Sequence, residues 1–105
     1  MKRLQDDFAK ATPYKAKDKK EKQLVCVIAS LKSEQDVANL LRDLLTVSEI
    51  HEFANRIEMV RLLKQGISYQ KIAEKTGSST TTVTRVAHWL FHGCGGYQKI
   101  VDILN

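Results

Sequence analysis

Residues 67–90 read ISYQKIAEKTGSSTTTVTRVAHWL, and this stretch decides the fold class. Ala73, Gly77 and Val83 stand at the offsets where a helix-turn-helix needs a small residue, a turn glycine and a buried β-branched residue. The small Ala73 lets a second helix cross close to the first. Gly77 is able to take the left-handed backbone conformation that ends one helix and opens a tight turn. Val83, with Ile72, Val86 and Leu90, supplies the apolar contact between the two helices. Left facing outward at the start of the second helix are Ser79, Thr80, Thr81, Thr82, Thr84 and Arg85, hydrogen-bonding groups with one guanidinium, a surface suited to a DNA major groove. Threonines are mediocre helix formers, so propensity does not explain their clustering at a helix start. Capping by Ser78 or Ser79 accounts for one hydroxyl; phosphate hydrogen bonds and thymine-methyl contacts account for the others. Ser68, Gln70 and Lys71, opening the preceding helix, are the expected phosphate-facing partners.

Outward from this stretch, the helical pattern continues. The expected motif spans about residues 68–92, broken afterwards by Gly93, Gly95 and Gly96. Tyr97, Ile100, Val101 and Leu104 then mark a last amphipathic helix. Upstream, Thr46-Val47-Ser48-Glu49 is a capping box. It opens a helix with Ile50, Phe53, Ile57, Val60 and Leu63 on one side, ended by Gly66. Ser33 and Asp36 make a similar start before the stripe Val37, Leu40, Leu41, Leu44 and Leu45. The apolar run Leu24–Leu31 fits strand or helix by pattern alone. No second strand exists to pair with it, so a helix is the better reading. Being apolar nearly all round, that helix is expected to pack inside something larger than one monomer. The chain reads as all-α, with six helices.

The 105 residues allow one domain and a tail, divided as a flexible basic arm over 1–20 and a helical domain over 21–105. The net charge of +5 is unevenly placed: residues 1–23 carry eight Lys/Arg against four Asp/Glu, a net of +4. Between Arg61 and His92, five basic residues (Arg61, Lys64, Lys71, Lys75, Arg85) face Glu74 alone. A positive field on an arm and around the motif is what a DNA-facing surface requires; a merely solubilising tail is the plainer reading of the arm. No apolar run approaches the roughly 20 residues that span a bilayer, and there is no signal-peptide pattern. Cys26 and Cys94 form neither a disulfide framework nor a CxxC pair, which points to a reducing, cytoplasmic setting. His88 and His92 at i, i+4 with Cys94 lack a fourth ligand, so no metal is expected. No nucleophile, base and orienter can be assembled, no glycine loop cradles a phosphate, and no enzyme is read here.

Leu44–Arg85 resembles the Trp repressor superfamily, most closely its YerC/YecD-type members. The resemblance rests on Leu45-Thr46-x-x-Glu49, Ala54-Asn55-Arg56, Leu63-x-x-Gly66 and Ser68-Tyr69-x-x-Ile72, completed by Gly77-x-Ser79-x-x-Thr82-Val83-Thr84-Arg85. It implies a six-helix, intertwined homodimer carrying two helix-turn-helix heads, spaced about one turn of DNA apart on a near-palindromic operator. It further implies a nucleoid-associated transcriptional regulator, a repressor by the family's habit, with double-stranded DNA and a second copy as partners. In tryptophan-binding members the ligand lies between two arginines, whose positions are kept as Arg56 and Arg85. An effector pocket would therefore draw on Thr46, Arg56, Arg85 and Trp89. Val86 and Trp89 replace small residues and add bulk where the ligand enters, so tryptophan is not the expected effector and no cofactor is expected. The plainer roles are a structural ion pair for Arg85 and, for Arg56, a pair with Glu52. The competing class is a helical protein-interaction module that binds DNA only weakly.

Overall fold

The computed structural model describes residues 3–105, which are mostly helical, with a non-helical stretch over residues 8–18. Six α-helices follow a short 3-10 turn at Leu4–Asp7: α1 (Lys19–Ser30), α2 (Glu34–Leu44), α3 (Val47–Lys64), α4 (Tyr69–Thr76), α5 (Thr80–His92) and α6 (Gly96–Ile100). Among the described residues there is no strand, and no helix is long and apolar enough to cross a membrane. The apolar run at Leu24–Leu31 is helical through Ser30, as its lack of a pairing partner required.

Local chemistry sets the helix ends. Asp18 caps α1 by accepting from Glu21 N–H at 2.9 Å, and Ser33 caps α2 by accepting from Asp36 N–H at 3.0 Å. The capping box before α3 is reciprocal: Thr46 N–H donates to Glu49 Oε1 at 2.9 Å, and Glu49 N–H to Thr46 Oγ1 at 3.1 Å. At the far end of α3, Gly66 N–H bonds Leu63 O (3.0 Å) and Ile67 N–H bonds Leu62 O (3.2 Å), closing the last turn. The same pair of bonds ends α4, from Gly77 N–H to Glu74 O (3.4 Å) and from Ser78 N–H to Ala73 O (3.0 Å). Gly77 achieves this at φ +65°, a left-handed conformation that disfavours any residue with a Cβ.

The chain divides into two compact units, Tyr14–Glu52 and residues 3–13 with Phe53–Asn105. The first unit holds α1, α2 and the start of α3 and contains no buried side chain; Leu24, Val25, Val27 and Ile28 are each 42–57% exposed. The second unit holds the entire buried core. Met59, Val60, Leu62 and Leu63 of α3 pack with Ile72 and Ala73 of α4, Val83, Val86, Ala87 and Leu90 of α5, and Val101. The expected stripe on α3 is thus buried only at Val60 and Leu63, while Phe53 (43%) and Ile57 (37%) stay exposed. Met59 and Leu62 join the core because neighbours enclose a wide arc of this helix's last two turns, about 160° at 100° per residue.

Residues 3–13, within the expected arm, belong to the second unit. They run along the second unit, with Leu4 and Phe8 against the core and Ala9 N–H donating to Phe91 O at 2.8 Å. Two apolar side chains and a run of backbone partners outweigh the solvation of the surrounding charges. The first two residues of the expected arm lie outside the described residues.

A candidate nucleic-acid interface

The two helices of the motif present their N-terminal turns to solvent. Ser68 caps α4, its hydroxyl accepting from Lys71 N–H at 3.2 Å, which leaves Gln70 and Lys71 exposed on the first turn. Ser79 caps α5, accepting from Thr82 N–H at 3.2 Å, and its hydroxyl meets Thr82 Oγ1 at 3.1 Å. Thr84 turns its hydroxyl back onto the helix and donates to Thr80 O at 2.8 Å. The hydroxyls of Thr80 and Thr81 make no hydrogen bond within the described chain, and the Arg85 guanidinium is likewise exposed and unengaged. The nine expected contact residues therefore separate by local duty. Ser68, Ser79, Thr82 and Thr84 serve the helix ends or the helix backbone, while Gln70, Lys71, Thr80, Thr81 and Arg85 hold uncommitted polar groups.

Helical phase orders the second set. Val83, Val86, Ala87 and Leu90 are buried, so at 100° per residue the opposite face of α5 carries Thr81, Arg85, His88 and His92, spaced i, i+4, i+7, i+11. His88 and His92 are exposed, with ring centroids 5.6 Å apart. Sequence reading weighed them only as metal ligands. Counting the helical phase from Arg85 would have placed them on its stripe.

The positive field is narrower than the basic count between Arg61 and His92 implied. Arg61 forms a two-pronged pair with Glu58 at 2.7 Å on each arm and also donates to Asn105 O. Its hydrogen bonds hold the Glu58 carboxyl below the usual carboxylate range, with a smaller contribution from the charge of Lys75. Lys64 Nζ is taken up by Val101 O (2.9 Å) and Leu104 O (2.6 Å). These two cations tie down the C-terminal segment. Lys71, Lys75 and Arg85 are left to face solvent.

Of the four residues expected around an effector, Arg56 and Trp89 line hollows that share Ile57 and Tyr97. Thr46 belongs to the first unit, where its hydroxyl and N–H are occupied by the α3 cap. Arg56 stands 5.5 Å over the Phe53 ring and lines a hollow of about 290 Å³ with Phe53, Ile57 and Tyr97. Trp89 is 54% exposed and borders a second, apolar hollow of about 440 Å³ with Ile57, Cys94 and Tyr97. Arg85 lines neither. Among the described residues no three His, Cys, Asp or Glu gather as a metal site would need.

A small helical head with a capped second helix, a left-handed glycine turn and an outward polar stripe defines a helix-turn-helix protein. The family model described as Trp repressor protein matches residues 19–105. YerC of Bacillus subtilis, an uncharacterised protein, is 38% identical over 88 residues, covering 84% of this chain and 85% of its own length. A TrpR-like protein of known structure from Eubacterium eligens superposes with a TM-score of 0.77 at 34% identity, covering 85% of this chain and 95% of that one. A second solved structure, from Staphylococcus aureus, gives 0.76 at 30% identity, with 83% and 87% covered. The chain belongs to the Trp repressor family, a family of helix-turn-helix DNA-binding regulators rather than of enzymes.

Proposed function

We propose that this protein is a sequence-specific transcriptional regulator that binds a near-palindromic operator as a homodimer and represses by occupying it, acting on the cytoplasmic nucleoid. The observation that carries the reading is the outward stripe on α5. Thr81 and Arg85 present a free hydroxyl and a free guanidinium two turns or less from a capped helix start, where recognition helices meet base edges. Gln70 and Lys71 on the neighbouring helix start are suited to phosphate contacts that fix orientation.

The first unit supports the homodimer reading. Four aliphatic side chains on α1 are largely exposed and nothing in that unit is buried, so a second copy is the natural cover for its apolar faces. An intertwined arrangement, with first helices exchanged between subunits, would bury them best.

Selection from a pool of random duplexes tests the proposal directly. We expect a palindromic consensus, with half-sites about 10 base pairs apart between centres, and a log K that falls steeply with log salt. Recovery of no preferred sequence would leave a protein-interaction module as the better account.

A further inference from the structure

We propose that residues 3–13 form a strap that positions the recognition helix, so that sequence-specific DNA reading depends on this segment; the inference rests on the DNA-binding function proposed above. The last carbonyls of an α-helix lack partners within the helix and must find them elsewhere. α4 meets that need through its left-handed glycine, but α5 does not: Gly93 at its end lies at φ −96°, ψ −149°, outside the left-handed region. The N-terminal segment supplies the partners instead. Ala9 N–H donates to Phe91 O at 2.8 Å and Thr12 N–H to Gly93 O at 3.1 Å. The Gln98 side chain joins three segments with one amide, donating to Leu90 O at 3.1 Å and to Ala9 O at 3.2 Å.

Side chains reinforce these bonds. The Phe8 and Phe91 rings meet edge to face with centroids 5.8 Å apart, and Gln5 Nε2 donates to Asp102 Oδ1 at 3.0 Å. The approach at Gly95 is close enough that a Cβ there would stand 2.9 Å from Ala11 Cβ. α5 is thus held along its length by its buried Val83, Val86, Ala87 and Leu90 and at its C-terminal end by the strap. A 13-residue helix is about 20 Å long, and hydrogen-bond reach spans only about half an ångström. Freeing one end of such a lever is enough to take Thr81 and Arg85 out of register with base edges. The competing account of the segment is an electrostatic tail, acting through Lys10, Lys15 and their neighbours wherever the chain happens to lie.

The test uses the full-length chain, the best duplex from the random selection and a scrambled duplex of equal length. The double variant Ala9→Pro/Thr12→Pro removes both strap donors. Proline at position 9 suits its neighbour, because Phe8 already has the extended backbone (φ −70°, ψ 126°) that precedes a proline. We expect specific affinity to fall at least about tenfold, the effect of losing roughly two ordinary backbone hydrogen bonds. Affinity for the scrambled duplex should stay level, and amide exchange at residues 90–92 and 98–101 should quicken. Specific affinity within about twofold of the parent, or unchanged exchange, overturns the strap. So does loss of specific binding in Lys10→Ala/Lys15→Ala with the proline pair unaffected. If circular dichroism shows the proline pair unfolded, Gln98→Ala and Phe8→Leu take the same measurements under the same criteria. Should the parent prefer no duplex, the DNA-reading function fails and the dependence of reading on the strap fails with it, while the exchange rates still report whether the segment holds α5.

Discussion

In the proposed function Arg85 and Thr81 read the bases, because nothing within the described chain competes for their polar groups. Thr84 and Thr82, one or three positions away, have turned theirs inward to the helix or its cap. Arg85→Ala and Thr81→Ala should each weaken binding to the selected duplex by about 1–3 kcal/mol, the range for a residue touching a base edge. Titration by fluorescence anisotropy at fixed salt measures this, and unchanged specific affinity in both variants would move the reading edge elsewhere. The residue types and the capped helix start were legible in the sequence, since they depend on neighbours three or four positions away. Which of six hydroxyl and guanidinium groups would remain uncommitted was not, because rotamers decide it. Thr84 has two helical rotamers available and adopts the one that bonds the preceding turn.

Helix α3 shows how an element's ends and its middle answer to different forces. Its start is a local device, the Thr46–Glu49 box, and Thr46→Ala should cost about 1 kcal/mol of stability. Within that box the Glu49 carboxyl is held below its ordinary pKa of 4.5, first by the Thr46 backbone N–H and then by the Thr46 side chain. Glu58 is lowered in the same direction, chiefly by its hydrogen bonds from Arg61. A carboxylate with a depressed folded-state pKa stabilises fully above its unfolded value and loses that contribution as pH falls through the folded value. Thermal melts should therefore show stability declining below about pH 4.5, with a shallower decline in Glu49→Gln; an equal slope in that variant would mean the box is not formed. The middle of α3 is another matter. Its apolar stripe was readable, but the exposure of Phe53 and Ile57 beside buried Val60 and Leu63 depends on how far the neighbouring helices extend.

At the scale of the molecule, one unit owns the buried core and the other has none. A unit whose α1 shows Leu24, Val25, Val27 and Ile28 to water gains little from folding alone, since apolar burial is the main favourable term. Dimerisation should therefore supply its stability. Tm should rise with protein concentration, and sedimentation should give a dimer that Val25→Glu/Ile28→Glu dissociates or unfolds. A concentration-independent Tm with a monomeric parent would remove the homodimer from the proposed function. By itself the sequence determined the helices, their caps, the glycine turn and the family, because each follows from interactions within a turn or two of the chain or from patterns repeated along it. Only the tertiary structure decided what those elements do for one another. It drew residues 3–13 onto a helix end some eighty positions away, and it committed Arg61 and Lys64 to the C-terminal segment rather than to an open positive face. Those outcomes depend on which distant groups meet, and a charge or an apolar side chain carries no local mark of the partner it will find.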